Sequence, residues 1–142
     1  MLIEVKVKVS RIIDGKTKKL TETYLIDKMF FSEAEFEVTS LLTREKEQAH
    51  SIESFEIQSL RISSIIEVFT QYAGQFSFVV TMKTVFLEDD GNEKITKYKL
   101  LLWANDLTEA NVRALEIHRE GYDLEVEGIH QQDITYLESK TN

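Results

Sequence analysis

Two short signals recur in this 142-residue chain at one spacing. Asp14-Gly15 returns as Asp90-Gly91, and Ser32-Glu33-Ala34 returns as Thr108-Glu109-Ala110, each 76 positions further on. A third pair follows in the same order. Phe55-Glu56-Ile57-Gln58-Ser59-Leu60 matches Leu124-Glu125-Val126-Glu127-Gly128-Ile129 at 69 positions, so the second connection into it is shorter. A turn, a helix start and a strand repeated in one order predict an internal duplication. A unit of about 65 residues buries too little surface to hold a core comfortably alone. The copies, approximately 1–69 and 75–138, are therefore expected to share one apolar interior as a single domain spanning 1–142.

The local pattern of each copy reads strand, strand, helix, strand. Ile3, Val5, Val7 and Val9 alternate with Glu4, Lys6, Lys8 and Ser10, which puts the apolar set on one face of an extended chain. Asp14-Gly15 supplies the positive φ that a tight hairpin needs, and a second strand runs from Lys18 to Ile26. Ser32 with Glu35 reads as a capping box, and Ala34, Val38, Leu41 and Leu42 recur at helical spacing. Residues 44–51 read as a polar connection to a third strand, Ile52 to Ile62. In the second half, Phe76, Phe78, Val80 and Met82 begin a strand that runs to about Leu87, and Ile95 to Trp103 return. Thr108 then opens a helix carrying Ala110, Ala114 and Ile117, and Leu124, Val126, Ile129 and Ile134 belong to the closing strand region. Residues 63–74 join the copies, but Ile65, Ile66, Val68 and Phe69 make them too apolar for a free linker. The expected fold is α+β, a tandem ββαβ duplication. It would have a mainly antiparallel sheet, both helices on one face, and approximate twofold symmetry.

Composition removes several kinds of chemistry. The chain has no Cys, which rules out disulfides, thiolate catalysis and cysteine-ligated zinc, and no Pro, which rules out proline-rich linkers. A formal charge of -8 argues against gripping duplex nucleic acid by bulk electrostatics. The first residues alternate charged and apolar from the start, unlike a signal peptide. The longest apolar stretches, such as 100–104, fall far short of the roughly 20 residues that cross a bilayer. A cytoplasmic protein without membrane contact is the expectation.

Motifs that carry chemistry are sparse. His50, His118 and His130 lie far apart, and none has the spacing of a metal site. His130 is expected to bond locally with Asp133. Glu88-Asp89-Asp90-Gly91-Asn92-Glu93 has the composition of a cation loop without its alternating ligands, and it stands where the first copy has a plain hairpin turn. No nucleophile elbow, Walker loop or dinucleotide glycine pattern is present. The expectation is no catalytic residue, no metal and no cofactor.

Several segments together resemble a known family. Lys6-Val7-Lys8-Val9, Leu20-Thr21-Glu22-Thr23-Tyr24-Leu25-Ile26-Asp27, Phe31-Ser32-Glu33-Ala34-Glu35 and Ile62-Ser63-Ser64-Ile65-Ile66-Glu67-Val68-Phe69 are similar to the family catalogued as domain of unknown function 4494. The resemblance covers essentially the whole chain. It implies a small bacterial or phage protein, and it carries no chemistry to any residue.

Charge is unevenly spread. Residues 1–28 hold seven bases (Lys6, Lys8, Arg11, Lys16, Lys18, Lys19, Lys28) and four acids (Glu4, Asp14, Glu22, Asp27), a net of +3, while the rest of the chain carries -11. The equivalent hairpin contributes Lys83, Lys94, Lys97 and Lys99. If the hairpins lie together, Lys6, Lys8, Lys18, Lys97 and Lys99 form a basic sheet surface, with Tyr24, Tyr98 or Trp103 as a stacking platform. The expected function is a non-enzymatic binding module for single-stranded nucleic acid or another anionic ligand. Two alternatives stand beside it. One is a protein-interaction or assembly component, most simply a homodimer docking through an edge strand or residues 65–69. The other is a nucleotide-sequestering protein or enzyme with a pocket between the copies.

Overall fold

The computed structural model describes residues 1–120 and 124–138, with the side chains of 118–120 and 124 outside the description. The elements run β1 (Leu2–Ile13), β2 (Lys16–Asp27), α1 (Phe31–Arg44), β3 (Ile52–Ile62), β4 (Ile65–Phe69), β5 (Phe76–Leu87), β6 (Glu93–Ala104), α2 (Leu107–Glu120), β7 (Leu124–Gln131) and β8 (Thr135–Leu137). The fold is α+β, with two mainly antiparallel four-stranded sheets instead of the one expected. Sheet 1 has the order β3-β1-β2-β8 and sheet 2 the order β4-β6-β5-β7. The chain divides into two compact units, Met1–Ser63 with the stretch from Ile134 onward, and Ser64–Asp133.

Each sheet is built around a hairpin flanked by two further strands. In sheet 1, β1 pairs antiparallel with β2 and β3, and β8 lies parallel to β2. In sheet 2, β5 pairs antiparallel with β6 and β7, and β4 lies parallel to β6. The short parallel strand of each sheet thus follows, in sequence, the helix-bearing part of the other half. The apolar residues of 63–74 find their use here, as β4. Alternation cannot reveal such a partner, because it reports which face is buried and says nothing of which strand lies alongside.

The two hairpins turn differently. Asp14 (φ 52°) and Gly15 (φ 75°) both lie in the left-handed region, giving the two-residue turn whose twist matches its strands. At the other hairpin, Glu88 N–H donates to Asn92 O at 2.8 Å and Gly91 N–H to Glu88 O at 2.9 Å, with Gly91 at φ 85°. This is a three-residue loop, 89–91, one residue longer than its counterpart. The extra residue moves β5 out of the spacing set by the helices. Val5 faces Tyr24 while Val80 faces Leu100, so the first strands correspond at 75 positions and the second at 76.

Two clusters of buried side chains form, one within each unit. On one side of sheet 1, Ile3, Val5, Val7 and Val9 pack with Tyr24, Ile26 and Ile52 against Ala34, Val38 and Leu42 of α1. In sheet 2, Phe78, Val80, Met82, Leu100 and Leu102 pack against Ala110 and Ala114 of α2. Each fully buried Val, Leu, Ile or Phe contributes about 1.5–3 kcal/mol. Each helix lies on its own sheet. On the far side of the sheets Leu25, Val79 and Leu101 are also buried and belong to neither cluster, so that side is not the uniformly open surface expected.

The helix ends also depart from expectation. α1 begins two positions earlier than the Ser32 cap predicts, with Phe30 at the N-cap and no side-chain cap, so the Ser32–Glu35 capping box does not form. α2 is capped one position before Leu107, where Asp106 Oδ1 accepts from Glu109 N–H (2.8 Å) and Glu109 Oε1 accepts from Asn105 N–H (3.2 Å). The polar stretch after Arg44 is a π-helical turn, Glu45–Ala49, that ends on His50 in the left-handed region (φ 52°). It is held by Arg11. Arg11 Nε and Nη2 donate to the two carboxylate oxygens of Glu22 (2.6 and 2.8 Å), and Nη1 donates to Glu45 (3.0 Å).

Candidate functional site

Cross-strand partners share a face, so the register sorts the expected site residues. Lys6 and Lys8 project from β1 on the side away from α1, opposite Thr23 and Thr21. Lys97, Lys99 and Trp103 project from β6 on the side away from α2, opposite Lys83, Thr81 and Ser77. Lys18 and Tyr24 face the other way. Lys18 is exposed opposite Arg11, on the helix-facing side of β2. Tyr24 is only 3% exposed and part of the core, and Tyr98 is half-buried on the α2 side of sheet 2. Tyr24 therefore presents no stacking surface to Lys6 and Lys8. The expectation failed because position 24 continues the apolar register of Leu20 and Ile26, and an aromatic ring there follows the core.

Trp103 is half-buried, and its carbonyl accepts from Arg113 Nη1 (2.6 Å). Arg113 Nη1 also donates to Ala73 O (2.7 Å), and the guanidinium lies 5.3 Å from the Tyr72 ring centroid. These contacts fix the Trp103 backbone within its unit.

The lysines differ in their partners. Lys97 Nζ lies 2.9 Å from Glu127 Oε1 and Lys83 Nζ 3.6 Å from Glu125 Oε2, so β7 supplies compensating carboxylates along sheet 2. Lys6 Nζ is 3.9 Å from Glu4 Oε1, which Arg61 Nη2 also approaches at 2.9 Å. Among the described residues, Lys8 and Lys19 have no carboxylate within 4.0 Å. Both line a shallow concavity of about 590 Å³ on the far side of sheet 1, with Ser10, Thr21, Ser54 and Glu56. Register places these together: Lys8 faces Thr21 and Glu56, and Ser10 faces Lys19 and Ser54. Two ammonium groups and three hydroxyls outnumber the one carboxylate, Glu56, in this lining, and the excess of donors suits phosphate oxygens or a carboxylate. Sequence reasoning counted Lys19 only among the bases. Its alternation with Thr21 and Thr23 held the signal that it shares a face with Lys8.

The strongest electrostatic coupling lies on the opposite side of sheet 1. Burial pushes the Glu22 carboxyl up, but hydrogen bonds from Arg11 and Tyr24 outweigh it and leave Glu22 below its ordinary range. The same contacts hold Arg11 protonated more firmly. Burial, then the bond to Glu22, raises the Tyr24 phenol. This network ties Glu45, and hence the π-helical turn, to the hairpin.

Among the described residues no group of three or more histidine or carboxylate side chains could hold a metal ion. His50 is exposed, and His130 Nε2 lies 3.3 Å from Gln132 Oε1, so its neighbour is Gln132 where Asp133 was expected. The His118 side chain lies outside the described residues. Asp90 caps its own loop, with its carboxylate accepting from Asn92 N–H and Nδ2 (both 2.9 Å). None of the helices is long and apolar enough to cross a membrane, among the described residues.

Residues 1–137 match the model of a family described as "Domain of unknown function (DUF4494)". The chain belongs to this family. The matched residues include both units and the strands β4 and β8. Neither a curated protein nor a solved structure matches the chain.

Proposed function

We propose that the chain is a non-enzymatic binding module that holds a single-stranded nucleic acid by its phosphates against the far side of sheet 1. The observation that carries this reading is the pair Lys8 and Lys19, without carboxylate partners and beside the hydroxyls of Ser10, Thr21 and Ser54. Ammonium and hydroxyl groups together donate to phosphate oxygens, which position a strand without reading its sequence. Among the described residues lining this hollow the aromatic one is Phe55, and its ring is half-buried against the core on the other side of the sheet. The grip is therefore electrostatic, weak and indifferent to base identity. Two neutralised phosphates on a single strand give a slope of about -1.4 in log affinity against log salt.

The test is fluorescence anisotropy of a labelled single-stranded oligonucleotide across a salt series. Wild type is expected to bind at low salt with that shallow slope. K8E with K19E is expected to abolish binding, and K83E with K97E to leave it unchanged, because Glu125 and Glu127 of β7 already pair those two lysines. Absence of binding at low salt refutes the reading.

The same module is read as a tandem duplication, copies 1–69 and 75–138 making one domain in the cytoplasm. Matching bulges support it. Lys6 and Val7 face Ser59 and Ile57, leaving Gln58 extra, and Thr81 and Met82 face Gly128 and Val126, leaving Glu127 extra. A bulge is an inherited feature of a sheet more than a local accident. A chain carrying residues 1–74 twice is expected to fold cooperatively, and an unfolded product counts against common descent.

A further inference from the structure

Both hairpin tips expose apolar side chains, and they carry opposite charge. At the β1–β2 tip, Ile12, Ile13 and Leu20 are 42%, 37% and 39% exposed. At the β5–β6 tip, Val85, Phe86, Leu87 and Ile95 are 38%, 55%, 78% and 55% exposed. Val85 and Ile95 are cross-strand partners, and Leu87 lies two residues on from Val85, so these three share one face. A single exposed apolar residue is ordinary, but a cluster at a hairpin tip is surface that gains by being covered.

Charge indicates what covers it. The first tip holds Lys16, Lys18 and Lys19 against Asp14, and the second holds Glu88, Asp89, Asp90 and Glu93 against Lys94. At the first tip Ile13 and Leu20 lie on the helix side, with Arg11 and Lys18 between them, and Ile12 on the other; at the second, Val85, Leu87 and Ile95 form one apolar patch, and the charges of the two tips are opposite in sign. Two different patches on one chain that complement each other make a head-to-tail contact, which either closes into a ring or continues as a filament.

We propose that the protein associates with a second copy of itself, the β1–β2 tip of one molecule seating on the β5–β6 tip of the next. The apolar side chains supply the buried centre of the contact, and Lys16 and Lys18 meet the acidic rim of Glu88 and Asp89. The pairing is selective, because two β1–β2 tips or two β5–β6 tips would bring like charges together. It uses Lys16 and Lys18 in place of Lys8 and Lys19, so it stands or falls separately from nucleic-acid binding.

Sedimentation equilibrium of the purified protein, over a range of concentration and salt, tests this. The wild-type mass is expected to rise with concentration and to fall with salt. K16E with K18E, and separately E88K with D89K, are each expected to weaken association by at least about tenfold, because each variant juxtaposes like charges. The deciding measurement is the mixture. The first variant has two acidic tips and the second two basic ones, so every junction between them is complementary and association returns on mixing. Both variants retain Asp90, which holds the loop, and circular dichroism checks that each is folded. A wild type that stays monomeric at low salt overturns the proposal. So do variants that associate as wild type does, and a mixture of folded variants that stays monomeric.

Discussion

Replacing Arg11 with Met is the sharpest probe of how the hairpin and the π-helical turn are held together. Met keeps most of the aliphatic stem and removes the guanidinium with its three hydrogen bonds, two to Glu22 and one to Glu45. The side chains are 21%, 24% and 34% exposed, which places the cluster between two measured regimes. Exposed pairs contribute about 0.2–1 kcal/mol, and removing one partner of a buried pair costs about 3–5 kcal/mol. A partly screened cluster that leaves Glu22 with only the Tyr24 hydroxyl is expected to lose about 2 kcal/mol. For a chain of this size that corresponds to roughly 4–8 °C in Tm. Urea unfolding of wild type, R11M, E22Q and the double variant measures the loss and its coupling, expected at about 1–2 kcal/mol. The pH dependence fixes the sign. Glu22 is depressed in the folded state, so its contribution is present above its unfolded pKa of about 4.5 and is lost as pH falls through the folded value. Wild type and R11M should therefore differ at neutral pH and converge in acid. A cost below about 0.5 kcal/mol with no coupling refutes the argument and makes the cluster surface decoration.

Four further substitutions test other features. Thr84 Oγ1 is buried without a hydrogen-bond partner, so Thr84→Val is expected to stabilise by about 1 kcal/mol in urea unfolding; destabilisation would show that the hydroxyl is satisfied. A Cβ on Gly74 would lie 2.4 Å from the Ala104 backbone within the same unit, so Gly74→Ala is expected to cost at least about 2 kcal/mol and shift amide resonances of β6; a neutral result sinks the close-approach reading. Gly15→Ala meets no atom but holds φ at 75°, so it is expected to cost about 1 kcal/mol, whereas Gly128→Ala, with open space and no positive φ, stays within about 0.5 kcal/mol. Equal losses at the two glycines would show that backbone conformation is not the cause.

Local chemistry was readable from the chain wherever a residue's own neighbours decide its state. The alternation of Ile3 to Val9, the Asp14-Gly15 turn and the Ala34, Val38, Leu42 stripe all appear where the pattern puts them. Features decided by distant residues were not readable. Ser32 is a local exception, since it looks like a cap and yet the helix starts at Phe31. Glu45 reads as linker, because Arg11, which holds it, lies far away in sequence. Periodicity grouped Tyr24 with the core, but chemistry invited grouping it with the lysines, and burial won. At the candidate site, the register puts Lys8 and Lys19 on one face of sheet 1 and Lys18 on the other, a sorting that depends on how β2 pairs with β1.

The parallel pairing of β8 with Tyr24–Ile26 bears on how the molecule is made. As the chain leaves the ribosome, sheet 1 can form three of its strands early, but its β2 edge stays open until Thr135–Leu137 emerge. Pairing across so long a loop is slow to establish. For that interval Leu25 and Ile26 belong to an unfinished edge, where a chaperone, or a neighbouring nascent chain, has its best opportunity to bind.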